Sequence, residues 1–464
     1  MKRDGNRITD INIAYIGGGS RGWAWGLMSD LAGEEALCGN VRLYDIDMQA
    51  AKDNEVIGNR YAYAEGAKSA WKYTAVGSLK EALTGADFVV ISILPGTFDE
   101  MDSDVHAPEK YGIYQPVGDT TGPGGLIRAY RTIPMFIEIA EAIKEFSPEA
   151  WVINYTNPMT LCVRTLYEVF PQIKAFGCCH EVFGTQKVLA MAYRALRGGE
   201  LPEREDIKVN VQGINHFTWL DKATYNGEDL FPIYDEFIDK IRSGELELDT
   251  ADKNWANGKR PTTNAVKYDL FKRYGVIAAA GDRHLVEFVP AWYLKNPDVV
   301  KLWGYELTTV DSRKEGQRER IEKSRKLIAQ TEPYTLSKTG EDGVKQIKAL
   351  VGLDTLITNV NIPNVGQISN LPLGAVVETN AVFSHNSLVP VNAGEMKWDV
   401  KILVERIIYN QETILKAVFN KDKELGFNAF LNDPMMCISM ADARALYEEM
   451  IENTKKYIPW MEEV

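Results

Sequence analysis

Across the first 200 residues, short apolar runs alternate with stretches whose apolar positions recur at helical spacing. The runs at 11–16, 41–45, 86–94, 150–155 and 174–178 read as buried strands, with helices between them. Strand–helix–strand repetition predicts βαβ units with right-handed crossovers and a parallel sheet. Near residue 200 the rhythm changes, at Arg197-Gly198-Gly199-Glu200-Leu201-Pro202. The stretch 209–219 reads as one strand, and long charged amphipathic stretches follow at 310–330 and 395–422. This half is expected to be mixed α and β, which divides the chain into 1–200 and 201–464.

Composition narrows the classes. The chain has 464 residues, 45% hydrophobic and 25% charged, enough for two or three domains and a sizeable core. A net charge of -13 argues against nucleic acid or an anionic membrane as partner, because phosphates need a basic footprint. No apolar run approaches the roughly 18 residues that span a bilayer. The opening Met-Lys-Arg-Asp-Gly-Asn-Arg is not followed by the apolar core of a signal peptide. Five cysteines, few and odd in number, fit a reducing cytoplasm better than a disulfide scaffold.

The strand at 11–16 runs into Gly17-Gly18-Gly19-Ser20-Arg21-Gly22, which fits G-x-G-x-x-G. In that motif the first glycine makes the tight turn, the second lets backbone approach a pyrophosphate, and the third allows close helix–strand packing. The following helix N-terminus offers free N–H groups to phosphate. Asp45 ends the second strand, where a carboxylate can bind both ribose hydroxyls and would repel a 2′-phosphate. NAD is therefore expected over NADP. The predicted fold is α/β: an N-terminal Rossmann-type NAD-binding domain and a mixed α/β C-terminal catalytic and oligomerisation domain, like that of lactate and malate dehydrogenases.

Three predicted strand ends carry unusual polar residues: N-Y-T-N-P at 154–158, C-C-H-E at 178–181 and G-I-N-H-F at 213–217. Ligands in open α/β sheets lie beyond such ends. Asn154 and Asn157 can hydrogen-bond a nicotinamide ribose or a sugar hydroxyl. Cys179 and His216 are a soft and a borderline ligand that can share one transition-metal ion. Their sequence separation leaves a core cysteine and a hydrogen-bonded histidine as the plain alternative. The glycine-rich stretch 118–134, with two arginines, reads as a lid, a substrate loop or a simple turn before a helix. Asp282, Arg283, His284 and Glu287 bring acid, base and anion-binding groups into one short stretch, or form a solvated turn.

Together these motifs resemble glycoside hydrolase family 4, the NAD-dependent glycosidases. The resemblance rests on G-G-G-S, T-G-P-G-G…R-T-I-P, N-Y-T-N-P, Cys179-His180-Glu181-Val182 and G-I-N-H, in the family's order. The tetrapeptide resembles that of the α-galacturonidase group. The resemblance implies a redox route to hydrolysis. NAD⁺ takes hydride from C3, a base removes the acidified C2 proton, and a divalent metal, usually Mn²⁺, stabilises the enediolate. The aglycone then leaves, water adds, and hydride returns.

Carried over, Cys179 and His216 are the metal ligands. Asn157 binds substrate, and Asn154 lies nearer the nicotinamide with Gly17, Gly19, Ser20, Arg21, Gly22 and Asp45. His180 stands where some members carry the general acid. Asp282 is the expected C2 base, with His284 as runner-up. A uronate carboxylate calls for arginine, with Arg283 preferred to Arg128, and Glu181 either holds a hydroxyl or orients an arginine. The expected partners are a small uronic-acid glycoside and further copies of the chain, as homodimer or homotetramer, with no nucleic acid or membrane. Three rival readings stay open: an α-glucuronidase or α-glucosidase of the same family, a lactate/malate-type dehydrogenase, and a silent NAD sensor.

Overall fold

The computed structural model describes residues 1–246 and 263–461. Its main sheet contains six parallel strands in the order Trp71–Val76, Leu37–Tyr44, Arg7–Ile16, Phe88–Ile91, Trp151–Asn154 and Lys174–Gly177. This is the doubly wound dinucleotide-binding order, with its switch point beside Arg7–Ile16. The strand Arg7–Ile16 is buried along its last four residues, and separate apolar cores cover the two faces of the sheet. The edge strand Trp71–Val76 was not apparent from the pattern because only Trp71 and Tyr73 are buried in it.

The sheet does not end with the first 200 residues. Leu356–Pro363 joins Lys174–Gly177 antiparallel through the Asn361–Gly177 pair, and Val376–Ser384 and Ser387–Pro390 follow outward. The helix Gly343–Leu350 packs into the same core as the helix Trp23–Gly33. Late sequence therefore returns to complete the early sheet, and a seam between parallel and antiparallel pairing lies just before Cys178 and Cys179.

The stretch 209–219 is not one strand. Lys208–Ile214 and Phe217–Tyr225 form an antiparallel hairpin that reverses at Asn215 and His216. Gly213 has φ 128°, and a Cβ there would lie 2.6 Å from Phe217 O. His216 has φ 64°, in the left-handed region. Apolar residues on both sides of the turn hide the reversal from a periodicity argument. The charged stretches are helices: Val310–Ala329, buried at only three positions, and Trp398–Asn420, buried along one face. Among the described residues, no helix is long and apolar enough to cross a membrane.

The helix Gly122–Phe146 is buried for most of its length. Its glycines answer close approach: a Cβ on Gly124 would lie 2.5 Å from Asp104 O. Two turns on, Arg131 makes a fully buried bidentate ion pair with Asp104 and donates from Nε to Pro95 O at 3.0 Å. Such a pair is stable only with these extra bonds, because desolvating two charges offsets their attraction.

Candidate active site

The glycine loop is a backbone cradle. A Cβ on Gly17 (φ 91°) would lie 2.0 Å from Ser92 O, so only glycine fits. Gly19 N–H donates to Asp45 Oδ2 at 2.8 Å, and Asp47 N–H donates to Oδ1 at 2.9 Å. Asp45 thus braces the loop and keeps lone pairs toward its mouth. Gly22 does not fill the packing role expected of the third glycine: a Cβ there would meet only Arg320 Cδ, at 3.9 Å. Close packing falls to Gly18, whose Cβ would lie 2.7 Å from Leu43 Cβ. Ser20 N–H donates to Gly17 O at 3.0 Å, and Arg21 pairs with Asp53 at 3.4 Å. The buried Asn54, unremarkable in sequence, clamps the loop by donating to Gly18 O and Ser20 O.

Beyond the neighbouring strand ends lies a cluster of donors. Among the described residues, Asp119, His216 and His284 bring ligand atoms within 4.8 Å of one another. The His216 and His284 rings stack with centroids 3.7 Å apart. Burial, and then the charge each would present to the other, lowers His216 to about 3. Burial also lowers His284. Both imidazoles are neutral at neutral pH, the form that binds metal or accepts a proton. Asp119 accepts from Thr120 Oγ1 at 2.7 Å and from Asn157 Nδ2 at 3.3 Å. Burial opposes its charge; with both imidazoles neutral, Arg128 and the Thr120 hydroxyl are left to favour the carboxylate.

Cys179 lies outside that set of three. Its thiol is buried, which pushes its pKa well up, and Asn215 is its side-chain partner. A bound cation would deprotonate it, since a coordinating thiol loses its proton.

The loop that carries Asp119 is a fixed structure. Glu287 Oε1 accepts from Val117 N–H and Gly118 N–H at 2.8 and 3.0 Å. Gln115 donates to Thr121 O and accepts from Gly124 N–H. Asp433 accepts from Thr121 Oγ1 and Gly122 N–H. A lid would have to break all of these bonds.

Several anticipated residues are engaged elsewhere. Asp282 is buried, and its two oxygens accept from Val266 N–H and Lys267 N–H, at the start of the helix Ala265–Tyr274. Arg283 donates to Pro116 O at 2.7 Å and Glu306 O at 3.2 Å. Asn154 closes its own turn, accepting from Thr156 N–H and donating to Thr156 O. Arg128 is different: Nε donates to Asn157 O at 3.3 Å, while one terminal nitrogen is buried without a hydrogen-bond partner.

Glu181 accepts from Gly281 N–H at 2.6 Å and lies 3.7 Å from His284 Nε2. Burial opposes its charge, and the three neighbouring histidines with the Gly281 amide hold it low. With His216 and His284 neutral, the protonated His180 and the Gly281 amide are its remaining support. His180 is half exposed beside Trp23 and pairs with Glu341 at 2.7 Å. Burial opposes its charge, but Glu341 outweighs it and raises the ring above the ordinary imidazole value. Sequence reading missed Asp119, Asn215, Glu341 and the buried Lys267, whose Nζ donates to Thr185 Oγ1 at 2.9 Å. Only the glycine-rich stretch 118–134 carried a signal for Asp119.

Comparison with known proteins matches this arrangement to two family models. Family 4 glycosyl hydrolase covers residues 12–195, and the Family 4 glycosyl hydrolase C-terminal domain covers 211–436. The chain is 60% identical over 459 residues to an alpha-galacturonidase of Thermoanaerobacterium saccharolyticum, covering 99% of this chain and 98% of the relative. The crystal structure of Bacillus subtilis lplD, described as a glucosidase, superposes with TM-score 0.90 at 51% identity, over 96% of this chain and 100% of that one. A 6-phospho-alpha-glucosidase from gut microorganisms, solved with NAD and Mn²⁺, reaches TM-score 0.78 at 20% identity, over 97% and 99% of the two chains. That last likeness is one of fold.

Proposed function

We infer that this chain, which belongs to the family 4 glycosyl hydrolases, hydrolyses α-D-galacturonides with NAD and a divalent cation such as Mn²⁺. The observation that carries the sugar is the identity of 60%, along nearly the whole length of both chains, with an alpha-galacturonidase. The residues fit both cofactors. A glycine cradle with a free helix N-terminus and Asp45 suits the dinucleotide, and a fold neighbour holds NAD and Mn²⁺ together. Neutral imidazole, carboxylate and thiol donors suit Mn²⁺ or another first-row divalent ion.

Bound together, the two cofactors supply reversible oxidation at C3 and Lewis-acid stabilisation of the charge left when C2 loses its proton. The chain's own residues do the rest. His216, Cys179 and Asp119 hold the cation. Asn157, fixed by its bond to Asp119, binds a sugar hydroxyl. The role of C2 base moves from Asp282 to His284, because Asp282 spends both oxygens on helix amides while His284 is neutral and faces the donor cluster. Glu181 orients that ring. His180, raised by Glu341, carries a proton to the leaving oxygen. Arg128 replaces Arg283 as the group that receives the uronate carboxylate, since its buried N–H is unspent.

This reading takes the enzyme as cytoplasmic and as a homodimer or homotetramer; Leu373, Trp398 and Ile402 are exposed apolar side chains that a subunit contact would cover. Size-exclusion chromatography with light scattering tests the assembly. The activity is tested with a chromogenic α-galacturonide, with and without NAD⁺ and Mn²⁺, under reductant, beside the α-glucuronide, α-galactoside and α-glucoside. Release from the galacturonide that needs both cofactors, with no net NADH, is expected. Release from another glycoside alone moves the specificity, and NADH accumulating on hydroxy acids would overturn the reading.

A further inference from the structure

One buried carboxylate is left unused by this account. Glu378 lies on the strand Val376–Ser384, 1% exposed, opposite Asn361 on Leu356–Pro363. Asn361 in turn is the residue that pairs with Gly177, two positions before Cys179. The late antiparallel strands thus carry Glu378 to the back of the donor cluster.

Three side-chain amides bear on it, those of Asn359, Asn215 and Asn361, and the first two link it to the donor cluster. Asn359 Nδ2 donates to Oε1 at 2.6 Å, and Asn215 Nδ2 donates to Oε2 at 3.3 Å. Each of these two also reaches the cluster. Asn359 Nδ2 approaches Cys179 O at 3.4 Å. Asn215 precedes His216 in the turn and is the side-chain partner of the Cys179 thiol. Beside these three amides the Glu181 charge bears on Glu378, and among the described residues no ion pair is formed with it. A buried carboxylate without a cation is expensive to keep. Burial raises its carboxyl to about 7; in the ionised form it offers two oxygens that only accept, so the amides facing it must present N–H. A glutamine would set its own NH₂ against one of them.

We propose that Glu378 is a positioning residue for the metal site, fixing Asn215 and Asn359 and through them the Cys179 thiol and the left-handed His216 turn. The inference rests on the reading of Cys179 and His216 as cation ligands. Partners of this kind, one shell behind the ligands, typically change metal affinity by about 10–100-fold when removed.

The test is E378Q against wild type in the full chain, without substrate. Mn²⁺ affinity is read from the electron paramagnetic resonance signal of free Mn²⁺. Co²⁺ loading is read from the thiolate-to-metal charge-transfer band. NAD⁺ affinity is read by titration calorimetry. The expected result is a Mn²⁺ Kd raised by about tenfold or more and a weakened or lost thiolate band, with unchanged NAD⁺ affinity. Mn²⁺ affinity and thiolate band equal to wild type would overturn the proposal.

If E378Q does not fold, N215S removes the amide donor that joins Glu378 to the Cys179 thiol and the His216 turn, and the same shifts are expected. Wild-type behaviour in that variant would also overturn the proposal. A wild-type protein that binds Mn²⁺ without any thiolate band would remove Cys179 from the site and the proposal with it. Activity with Mn²⁺ would persist in that case, which separates this failure from failure of the galacturonidase reading.

Discussion

The imidazoles of His216 and His284 lie face to face, centroids 3.7 Å apart and planes 30° from parallel. One comes from a hairpin turn and the other from the short helix Asp282–Leu285. Neither ring can be protonated cheaply beside the other in a buried site. Because the folded-state pKa is depressed, stability is fully present above the unfolded value near 6.5. It is lost as pH falls from there toward the folded value of about 3 for His216. The metal-free wild type should lose about 1–2 kcal/mol relative to His216→Gln between pH 7 and pH 5. Urea unfolding of both proteins at several pH values checks this, and a constant difference would remove the depressed histidine.

The donor cluster offers two overlapping shells, Asp119 with His216 and Cys179, or Asp119 with His216 and His284. Substitution separates them. Cys179→Ser and Asp119→Asn should each raise the Mn²⁺ Kd by about tenfold or more. His284→Ala should leave that Kd within about threefold and abolish exchange of the C2 proton with solvent deuterium. A large loss of Mn²⁺ binding in His284→Ala would make it a ligand and reopen the assignment of the base.

How much of this was legible in the sequence follows from how local each feature is. The strand at 11–16, its glycine turn and Asp45 are local, and the structure has them where the pattern put them. His216 was legible as a polar residue beside a strand, but the turn that aims it was not, because Ile214 and Phe217 keep the stretch apolar across the reversal. Asp119 was hidden for another reason. It acts from a glycine-rich loop that looks mobile until Glu287, Gln115 and Asp433 are seen to pin it from distant segments. Asp282 and Arg283 show the converse. Their residue types suit chemistry, and only the positions of Val266, Lys267 and Pro116 reveal that backbone groups have claimed them.

The two arginines make opposite predictions. Arg128→Met removes the buried donor proposed to receive the uronate carboxylate, so kcat/KM for the α-galacturonide should fall by about 10–100-fold, the worth of a charge-assisted hydrogen bond. Any residual α-galactoside cleavage should fall much less. Arg283→Met removes a brace on Pro116 O and Glu306 O. It should lower stability by about 1–2 kcal/mol and leave the galacturonide-to-galactoside ratio unchanged. A ratio that collapses in Arg283→Met instead would return the carboxylate to Arg283.

Asp282→Ala should act as the loss of a helix cap. Two amides at the start of Ala265–Tyr274 lose their acceptor, a change worth about 1–2 kcal/mol. The melting temperature should fall, while deuterium exchange at C2 persists in the folded fraction. Loss of exchange with an unchanged melting temperature would restore Asp282 as the base.

Glu287 tests whether the Asp119 loop is held by a carboxyl that resists ionisation. Burial raises its pKa to about 8, and the Val117 and Gly118 amides counter this only in part. A raised carboxyl means the folded state keeps a proton that the unfolded chain has released. The contribution is therefore fully present below the unfolded value near 4.3 and is lost as pH rises toward 8. Glu287→Gln keeps a carbonyl oxygen for both amides and never ionises. Relative to that variant, the wild type should lose about 1–3 kcal/mol between pH 5 and pH 8. The sign is opposite to that of His216, so the two variants distinguish burial of a neutral acid from burial of a neutral base. Parallel unfolding curves for wild type and Glu287→Gln across that range would show that Glu287 is ionised in the folded protein, its charge stabilised by the two loop amides and Arg283.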